Sequence, residues 1–250
     1  MNENNYYFNN HLQEAKIVKR ETQFTIKVNI NNKVETCHCP VTSRIGNVDL
    51  NNISCLVSSN KNNKRKLLNT IEAVSFDKNN ENWIGINQIF SNKLMEFFIK
   101  NNKFPKMINN FKTLKREVKI DNSKLDFLIN NNLYLEVKTP LVTINVKYDK
   151  NIKIVPFSKF TSYDRLIKHI EKLTKLLENG NQAILAIVYQ YKITNFKEWL
   201  HSLNYLEVKK VMKIAINKGL KIWNINIKIT KEKASLLSYE NITKKVLTCC

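Results

Sequence analysis

The hydrophobic pattern of this chain changes its period near Asn87, and that change constrains the fold more than any other feature. Before Asn87, apolar and polar residues alternate in five short runs separated by Asn- and Lys-rich turns: AKIVKRE, QFTIKVNI, KVETCHCP, ISCLVSS and TIEAVSF. Alternation is typical of half-buried strands, and five of them in this span predict a small barrel, closed or partly open. Such barrels often bind single-stranded nucleic acid, and a purely positioning module is an equal alternative.

After Asn87 the pattern alternates between helical and strand-like periods. The runs predict, in order, a helix, three strands, a helix, a strand, a helix and a strand: NQIFSNKLMEFFIKNN, LKREVKI, LDFLI, LYLEVKT, SYDRLIKHIEKLTKLLENG, QAILAIVYQY, YLEVKKVMKIAINKG and LKIWNINIKI. Ser162 is the predicted N-cap of the second helix. The fold class is therefore α/β in two domains, with a barrel over residues 1–82 and a mixed sheet flanked by helices over 83–250.

Two of the predicted strands form a hairpin that brings two carboxylates together. Asn130–Asn132 reads as a three-residue loop, because Asn tolerates the left-handed conformation that tight turns require. If Ile129 and Leu133 close this loop, Asp126 lies opposite Glu136. Like charges so placed are destabilising, so something must compensate for them.

A divalent cation is one compensating group. Magnesium binds one or two carboxylates together with water and substrate phosphate, and Asp126 and Glu136 suit it. Lys138, on the same strand face as Glu136, could orient an attacking water or stabilise charge on a phosphate. The alternative is an ordinary salt bridge between Lys138 and one carboxylate on a solvated sheet face.

The second helix carries basic residues at helical spacing opposite its leucine stripe. Beside the carboxylates, such a face would hold nucleic-acid phosphates, although a surface histidine with no catalytic role is the simpler interpretation of His169. The candidate nucleic-acid-binding residues are Arg165, Lys168, His169 and Lys172, with Lys175 on the same face.

Charge and cysteine usage narrow the class of protein further. The 41 Lys and Arg residues exceed the 21 Asp and Glu residues, giving a net charge of +20 that favours a polyanionic partner. An AT-rich genome would also enrich Lys.

No run approaches a membrane span and no signal-peptide pattern begins the chain, so we expect a cytoplasmic protein that does not bind membranes. Cys37 and Cys39 could be two ligands of a structural zinc, but the sequence has no second pair of ligands at the spacing of a zinc site. We therefore do not expect zinc there.

Several segments carry a resemblance to a known family. Asp126, Glu136, Val137 and Lys138 resemble the core of the PD-(D/E)xK nuclease superfamily. More narrowly, the chain resembles the sugar fermentation stimulation protein A (SfsA) family in segments that occur in the family's order: Cys37–Gly46, Asn63–Val74, Trp83–Leu94, Leu114–Ile129, Tyr134–Val142 and Asp164–Leu173. The chain departs from the family in Val155–Ser162, which lacks an acidic residue the family usually has before the helix.

The resemblance implies an OB-like barrel followed by a restriction-endonuclease-like α/β core. It implies that Asp126 and Glu136 are metal ligands and that Lys138 is the catalytic lysine. Glu117 and Asp164 are accessory acidic candidates, with Asp164 standing where the family more often has Glu. The expected activity is Mg²⁺-dependent hydrolysis of DNA or RNA, with Mn²⁺ as a substitute. A non-catalytic DNA-binding regulatory protein is the alternative. The sequence leaves the oligomeric state open.

Overall fold

The computed structural model describes residues 4–41, 43–60, 66–77, 79–121, 123–156, 163–193 and 203–249. These residues form thirteen strands and four helices, and all thirteen strands belong to one hydrogen-bonded sheet. The predicted N-cap Ser162 lies outside the described residues. None of the helices in the described ranges combines the length and apolar character that crossing a membrane requires.

Five strands close into an OB-like barrel, as the alternating runs predict. Their bounds are β2 (Gln13–Arg20), β3 (Thr25–Ile30), β4 (Lys33–His38), β5 (Ser54–Ser59) and β6 (Asn69–Ser75). The strands β2, β3 and β4 form an antiparallel meander, β5 pairs with β2, and β6 pairs with β5. A parallel bridge between His38 and Thr70 joins β4 to β6 and completes the closure.

The cysteines of the CHCP segment are part of this barrel's core. Cys37 and Cys39 are fully buried among apolar residues, as is Cys55. Burial raises the pKa of Cys37 to about 12, and the Glu35 carboxylate adds to the effect. A thiol in such surroundings behaves as a small apolar side chain, whereas a zinc ligand must be a thiolate.

The second part of the chain is a mixed sheet between helices, as the change of period predicts. The bounds of its elements are β7 (Trp83–Gly85), α1 (Gln88–Lys100), β8 (Leu114–Ile120), β9 (Ser123–Ile129), β10 (Leu133–Lys138), α2 (Asp164–Glu178), β11 (Gln182–Tyr189), α3 (Tyr205–Asn217), β12 (Lys221–Ile229), β13 (Lys233–Asn241) and α4 (Thr243–Cys249). The strands β10, β11 and β12 run parallel, β9 and β8 extend the sheet antiparallel beyond β10, and β13 pairs antiparallel with β12.

The helices cover the two faces of this sheet with separate apolar clusters. Leu94 and Phe98 of α1 pack with Phe127 and Leu135 on one face. Leu166 and Ile170 of α2, together with residues of α3, pack on the other face in a cluster continuous with the barrel interior. The sheet between α1 and α2 is therefore largely shielded from water, so a polar side chain there needs hydrogen-bond partners from the protein.

The barrel and the mixed sheet join through β7. This short strand pairs with β6 of the barrel on one side and touches β12 through Trp83 and Ile229. The chain's first strand, β1 (Asn5–Tyr7), pairs with β13 rather than with any described barrel strand. The segment 1–82 assigned to the barrel by sequence therefore begins with residues that extend the β12–β13 part of the sheet, because pairing between distant strands leaves no local pattern.

Candidate functional site

The predicted hairpin forms with the expected register. Ile129 faces Leu133, and Phe127 faces Leu135. Asn130 and Asn131 adopt φ values of 50° and 61° in the loop, the left-handed conformation that asparagines in a tight turn predict. The same register places Asp126 of β9 next to Glu136 near the C-terminal end of β10.

The backbone pairing between β9 and β10 stops at Phe127 and Leu135. Beyond that pair, the side chain of Asp126 connects the two strands. Its Oδ2 accepts a hydrogen bond of 2.7 Å from the backbone N–H of Val137, and its Oδ1 accepts one of 2.7 Å from Asn92 Nδ2 of α1. The carboxylate is thus held from the sheet and from one helix. Sequence reasoning missed Asn92, because an Asn on an amphipathic helix in an Asn-rich chain gives no signal of its own.

Glu136 is almost completely buried, with 2% of its surface exposed. Its Oε1 accepts from Lys138 Nζ and contacts His169 Nδ1 of α2. Its Oε2 is buried and has no hydrogen-bond partner among the described residues. The ion pair of the alternative interpretation therefore exists, but the sheet face is not solvated, and one carboxylate oxygen stays unpaired as far as the described residues show.

The environment moves the pKa values of the two carboxyl groups in opposite directions. Burial, reinforced by the nearby Glu136 charge, raises the pKa of Asp126 from 3.8 to about 6. Burial also acts to raise the pKa of Glu136, but the hydrogen bond from His169 and the charge of Lys138 outweigh it and leave that pKa below its usual range. Like charges brought together in a low-dielectric site behave in this way.

The raised pKa of Asp126 predicts a measurable stability profile. The folded protein holds this proton more tightly than the unfolded chain does, so ionising Asp126 costs stability as the pH rises from about 4 through about 6. The cost at neutral pH is on the order of 2–3 kcal/mol. In EDTA, the free energy of unfolding of Asp126→Asn should therefore gain on that of the unmodified protein by this amount between pH 4 and 7.

Urea unfolding at a series of pH values measures that difference. The variant loses one of the two hydrogen bonds at Asp126, which adds an offset that does not depend on pH. A difference that stays constant from pH 4 to 7 would contradict the proposed electrostatics.

The basic residues of α2 divide into two groups. Arg165 and Lys168 are exposed, as predicted for a phosphate-binding face. Lys172 instead turns to the β8–β9 turn, where its Nζ donates to Ile120 O and, at 2.7 Å, to Ser123 Oγ. A fixed lysine of this kind supports the hairpin that carries Asp126.

The position of His169 differs from the solvent-exposed one that the sequence predicts. The helical offsets put it on the solvated basic face, but it is only 7% exposed and reaches the acidic pair. The reason is geometric: its position on α2 borders the buried stripe, and the twisted sheet brings β10 under that side of the helix.

The two accessory acidic residues lie away from the pair. Glu117 adopts a φ of 50° in β8 and its exposed carboxylate pairs with Lys124 Nζ at 3.0 Å. Asp164 opens α2, where Asn204 Nδ2 donates to it at 2.8 Å. The structure therefore does not bring either carboxylate to Asp126 and Glu136.

A second polar network fixes the residue that follows Lys138. Thr139 Oγ1 donates to Ser91 Oγ of α1 at 2.7 Å, and Gln190 Nε2 donates to the same oxygen at 2.9 Å. Gln88 Nε2 donates to Thr139 O at 2.9 Å. These contacts tie the end of β10 to α1 and β11, so the backbone beyond Lys138 is well supported.

The acidic pair has the donor chemistry that a hard divalent cation requires. Asp126 supplies carboxylate oxygens that each keep a lone pair, and Glu136 Oε2 is a buried acceptor to which no described residue donates. The described residues contain no group of three or more His, Cys, Asp or Glu side chains arranged for a metal. Two protein ligands would leave the other positions to water and phosphate, which is the coordination Mg²⁺ usually keeps.

The fold and the site together define a class: an α/β protein in which an OB-like barrel precedes a mixed sheet carrying a buried Asp–Glu pair with an adjoining lysine. Within residues 89–233, the chain matches a family model described as "Sugar fermentation stimulation protein RE domain". This chain belongs to the sugar fermentation stimulation protein (SfsA) family.

Relatives cover nearly the whole chain. A sugar fermentation stimulation protein homolog from Pelagibacter ubique is 30% identical over 236 residues, which are 90% of this chain and 97% of the relative. A homolog from Methanosphaera stadtmanae is 28% identical over 92% of this chain and 97% of its own length. The solved structure of SfsA from Pyrococcus furiosus in complex with Ca²⁺ shares the fold, with a TM-score of 0.73 and 17% identity over 91% of this chain and 94% of that one.

Proposed function

We propose that this protein is a divalent-cation-dependent nuclease that hydrolyses phosphodiester bonds in DNA or RNA, with a restriction-endonuclease-like core of the PD-(D/E)xK type. One observation carries the proposal. Beside Asp126, Glu136 keeps a buried carboxylate oxygen that has no hydrogen-bond partner in the described part of the chain, and Lys138 lies two residues further on the same strand face. Leaving a buried acceptor unpaired costs stability, and functional sites are where such costs persist.

Asp126 and Glu136 would hold the cation. Bound there, Mg²⁺ or Mn²⁺ would act as a Lewis acid on a phosphate oxygen and lower the pKa of a coordinated water. The related P. furiosus structure is described as a complex with Ca²⁺, a cation that also binds carboxylate oxygens. The cation would also offset the two effects that raise the pKa of Asp126, which are burial and the nearby Glu136 charge.

The remaining residues have roles that their surroundings suggest. Lys138 is about a quarter exposed, so its Nζ can reach both Glu136 and a phosphate at the site's opening. Asn92 would keep Asp126 oriented. The exposed Arg165 and Lys168 would contact the nucleic-acid backbone from α2, and the barrel would hold a strand of the substrate.

One observation favours a second function. The Lys138 ammonium already forms an ion pair with Glu136, so the cluster can exist without any bound metal cation. This arrangement suits a DNA-binding regulatory protein of the same family in which the acidic pair is only structural. That protein would bind nucleic acid in EDTA and cleave nothing.

Cleavage of end-labelled single-stranded DNA, duplex DNA and RNA separates the two functions. Each substrate is incubated with Mg²⁺, Mn²⁺ or EDTA, and binding is measured on the same samples by electrophoretic mobility. We expect cleavage of at least one polymer with either cation and none in EDTA. Tight binding that persists in EDTA, with no cleavage under any condition, would leave the regulatory protein as the function.

A further inference from the structure

His169 is a buried polar residue that neither the leucine stripe of α2 nor a solvent-facing role explains. It projects from the middle of α2 onto the sheet and its Nδ1 contacts Glu136 Oε1. A histidine so placed could merely fasten the helix to the sheet. The arrangement of hydrogen-bond donors around Glu136 indicates more than that.

Two donors converge on one carboxylate oxygen of Glu136, whereas the described residues provide no donor to the other oxygen. For Nδ1 to donate to Glu136 it must carry its proton, and the Lys138 ammonium is a donor only. The 3.3 Å approach of Lys138 Nζ to His169 Nδ1 is therefore not a hydrogen bond between them. It results from both groups bonding to Oε1, which leaves Oε2 without a partner among the described residues.

The presence of two donors on Glu136 Oε1 matters when Lys138 moves away from it. If Lys138 turned from Glu136 to a phosphate or a water, Oε1 would lose a donor in a nearly dry site. A buried acceptor left without any donor is costly, but His169 remains on Oε1 and removes that cost. With Oε1 held on the α2 side, Oε2 stays directed away from His169 and available.

We propose that His169 is a positioning residue of the cation site, a role that rests on the proposed function. It holds Glu136 Oε1 so that Oε2 can bind the cation while Lys138 is free to leave for the substrate. His169 does not touch the cation or the substrate in this arrangement. Removing it should weaken cation binding itself, before any nucleic acid is present.

Titration of the full-length protein with Mn²⁺ alone tests this role. His169→Leu removes the hydrogen bond, and we expect the dissociation constant for Mn²⁺ to rise about 10–100-fold, as is typical when a partner of a metal ligand is lost. His169→Asn places an amide N–H where Nδ1 was and should retain most of the affinity. Glu136→Gln, titrated alongside, identifies binding at this site.

Two further measurements separate positioning from a structural role. Ile170→Val is a matched control on the same helix, since Ile170 is fully buried beside His169 but contacts neither carboxylate through hydrogen bonds. It should lower the melting temperature and leave the Mn²⁺ affinity unchanged. The melting temperatures of all variants in EDTA show whether a loss of affinity follows a loss of folding.

The outcomes are distinct. Equal Mn²⁺ affinity in His169→Leu and the unmodified protein overturns the positioning role, as does a His169→Asn variant as weak as His169→Leu. Absence of Mn²⁺ binding in the unmodified protein overturns both this role and the proposed cation site. Binding that depends on His169, without cleavage of any polymer, supports the role and overturns only the nuclease function.

Discussion

Glu136→Gln is expected to remove the proposed metal-dependent cleavage, lowering its rate by roughly 10³-fold or more, beyond the 10–100-fold typical of residues that only support a ligand. The substitution keeps the size of the side chain and removes its charge. Because Glu136 is nearly completely buried between Lys138 and His169, no described neighbouring carboxylate other than Asp126 can replace it. Single-turnover cleavage with Mg²⁺ measures the loss directly.

The matched control for this change is Glu240→Gln. Glu240 lies on β13 with about half of its side chain exposed and pairs with Lys245 at 2.8 Å. The same chemical substitution there should leave the cleavage rate unchanged. Lys138→Met, made from the same preparation, should also lose cleavage but retain Mn²⁺ binding. Equal cleavage by Glu136→Gln and the unmodified protein would mean that this site does not carry the activity.

Gly85→Ala is expected to destabilise the protein by about 3 kcal/mol or more, the upper range for forcing atoms into a packed interior. A Cβ at Gly85 would lie 2.4 Å from Gln190 Cβ and 2.5 Å from Gln190 Oε1. The obstruction includes the rigid start of the side chain, so rotation alone cannot relieve it. Gly85 N–H also donates to Gln190 O at 2.9 Å, which holds the end of β7 against the residue that follows β11.

The cost arises where the barrel meets the mixed sheet. Gly85 ends β7, the strand that pairs with the barrel, and Gln190 Nε2 donates to Asn87 O and Ser91 Oγ at the start of α1. Pushing Gln190 away would therefore disturb the support of Thr139 and the end of β10. We expect reduced cleavage together with the reduced stability.

A double-mutant cycle tests that explanation, because coupling energies isolate a pairwise contact. In a Gln190→Gly background the obstructing atoms are absent, so Gly85→Ala should add little to the loss in chemical denaturation. Gly180→Ala is the control: a Cβ there meets nothing within 4 Å and the substitution carries only the cost of its φ of +78°. Equal losses for Gly85→Ala in both backgrounds would contradict the contact.

Local patterns predicted most of the elements and the acidic pair for physical reasons that operate along the chain, but they did not predict β1, β7, β13 or α4. Alternation of apolar residues located the five barrel strands to within a few residues. The asparagine loop, through its left-handed conformations, set the register of the hairpin. Once that register is set, Asp126 must lie near Glu136, because a strand has a side-chain period of two. The same reasoning located α1 and α2, whose apolar stripes face the sheet.

The tertiary structure decided everything that depends on contacts between distant segments. It paired β1 with β13, buried His169 against β10, directed Asn92 to Asp126 and turned Lys172 to the hairpin. The sequence by itself determined the chemical character of each position. Through the periodicity of each helix or strand, it also determined which residues share a face. Which helix faces which strand depends on how the twisted sheet and the helices bury their apolar surfaces together, and a single element carries no record of that.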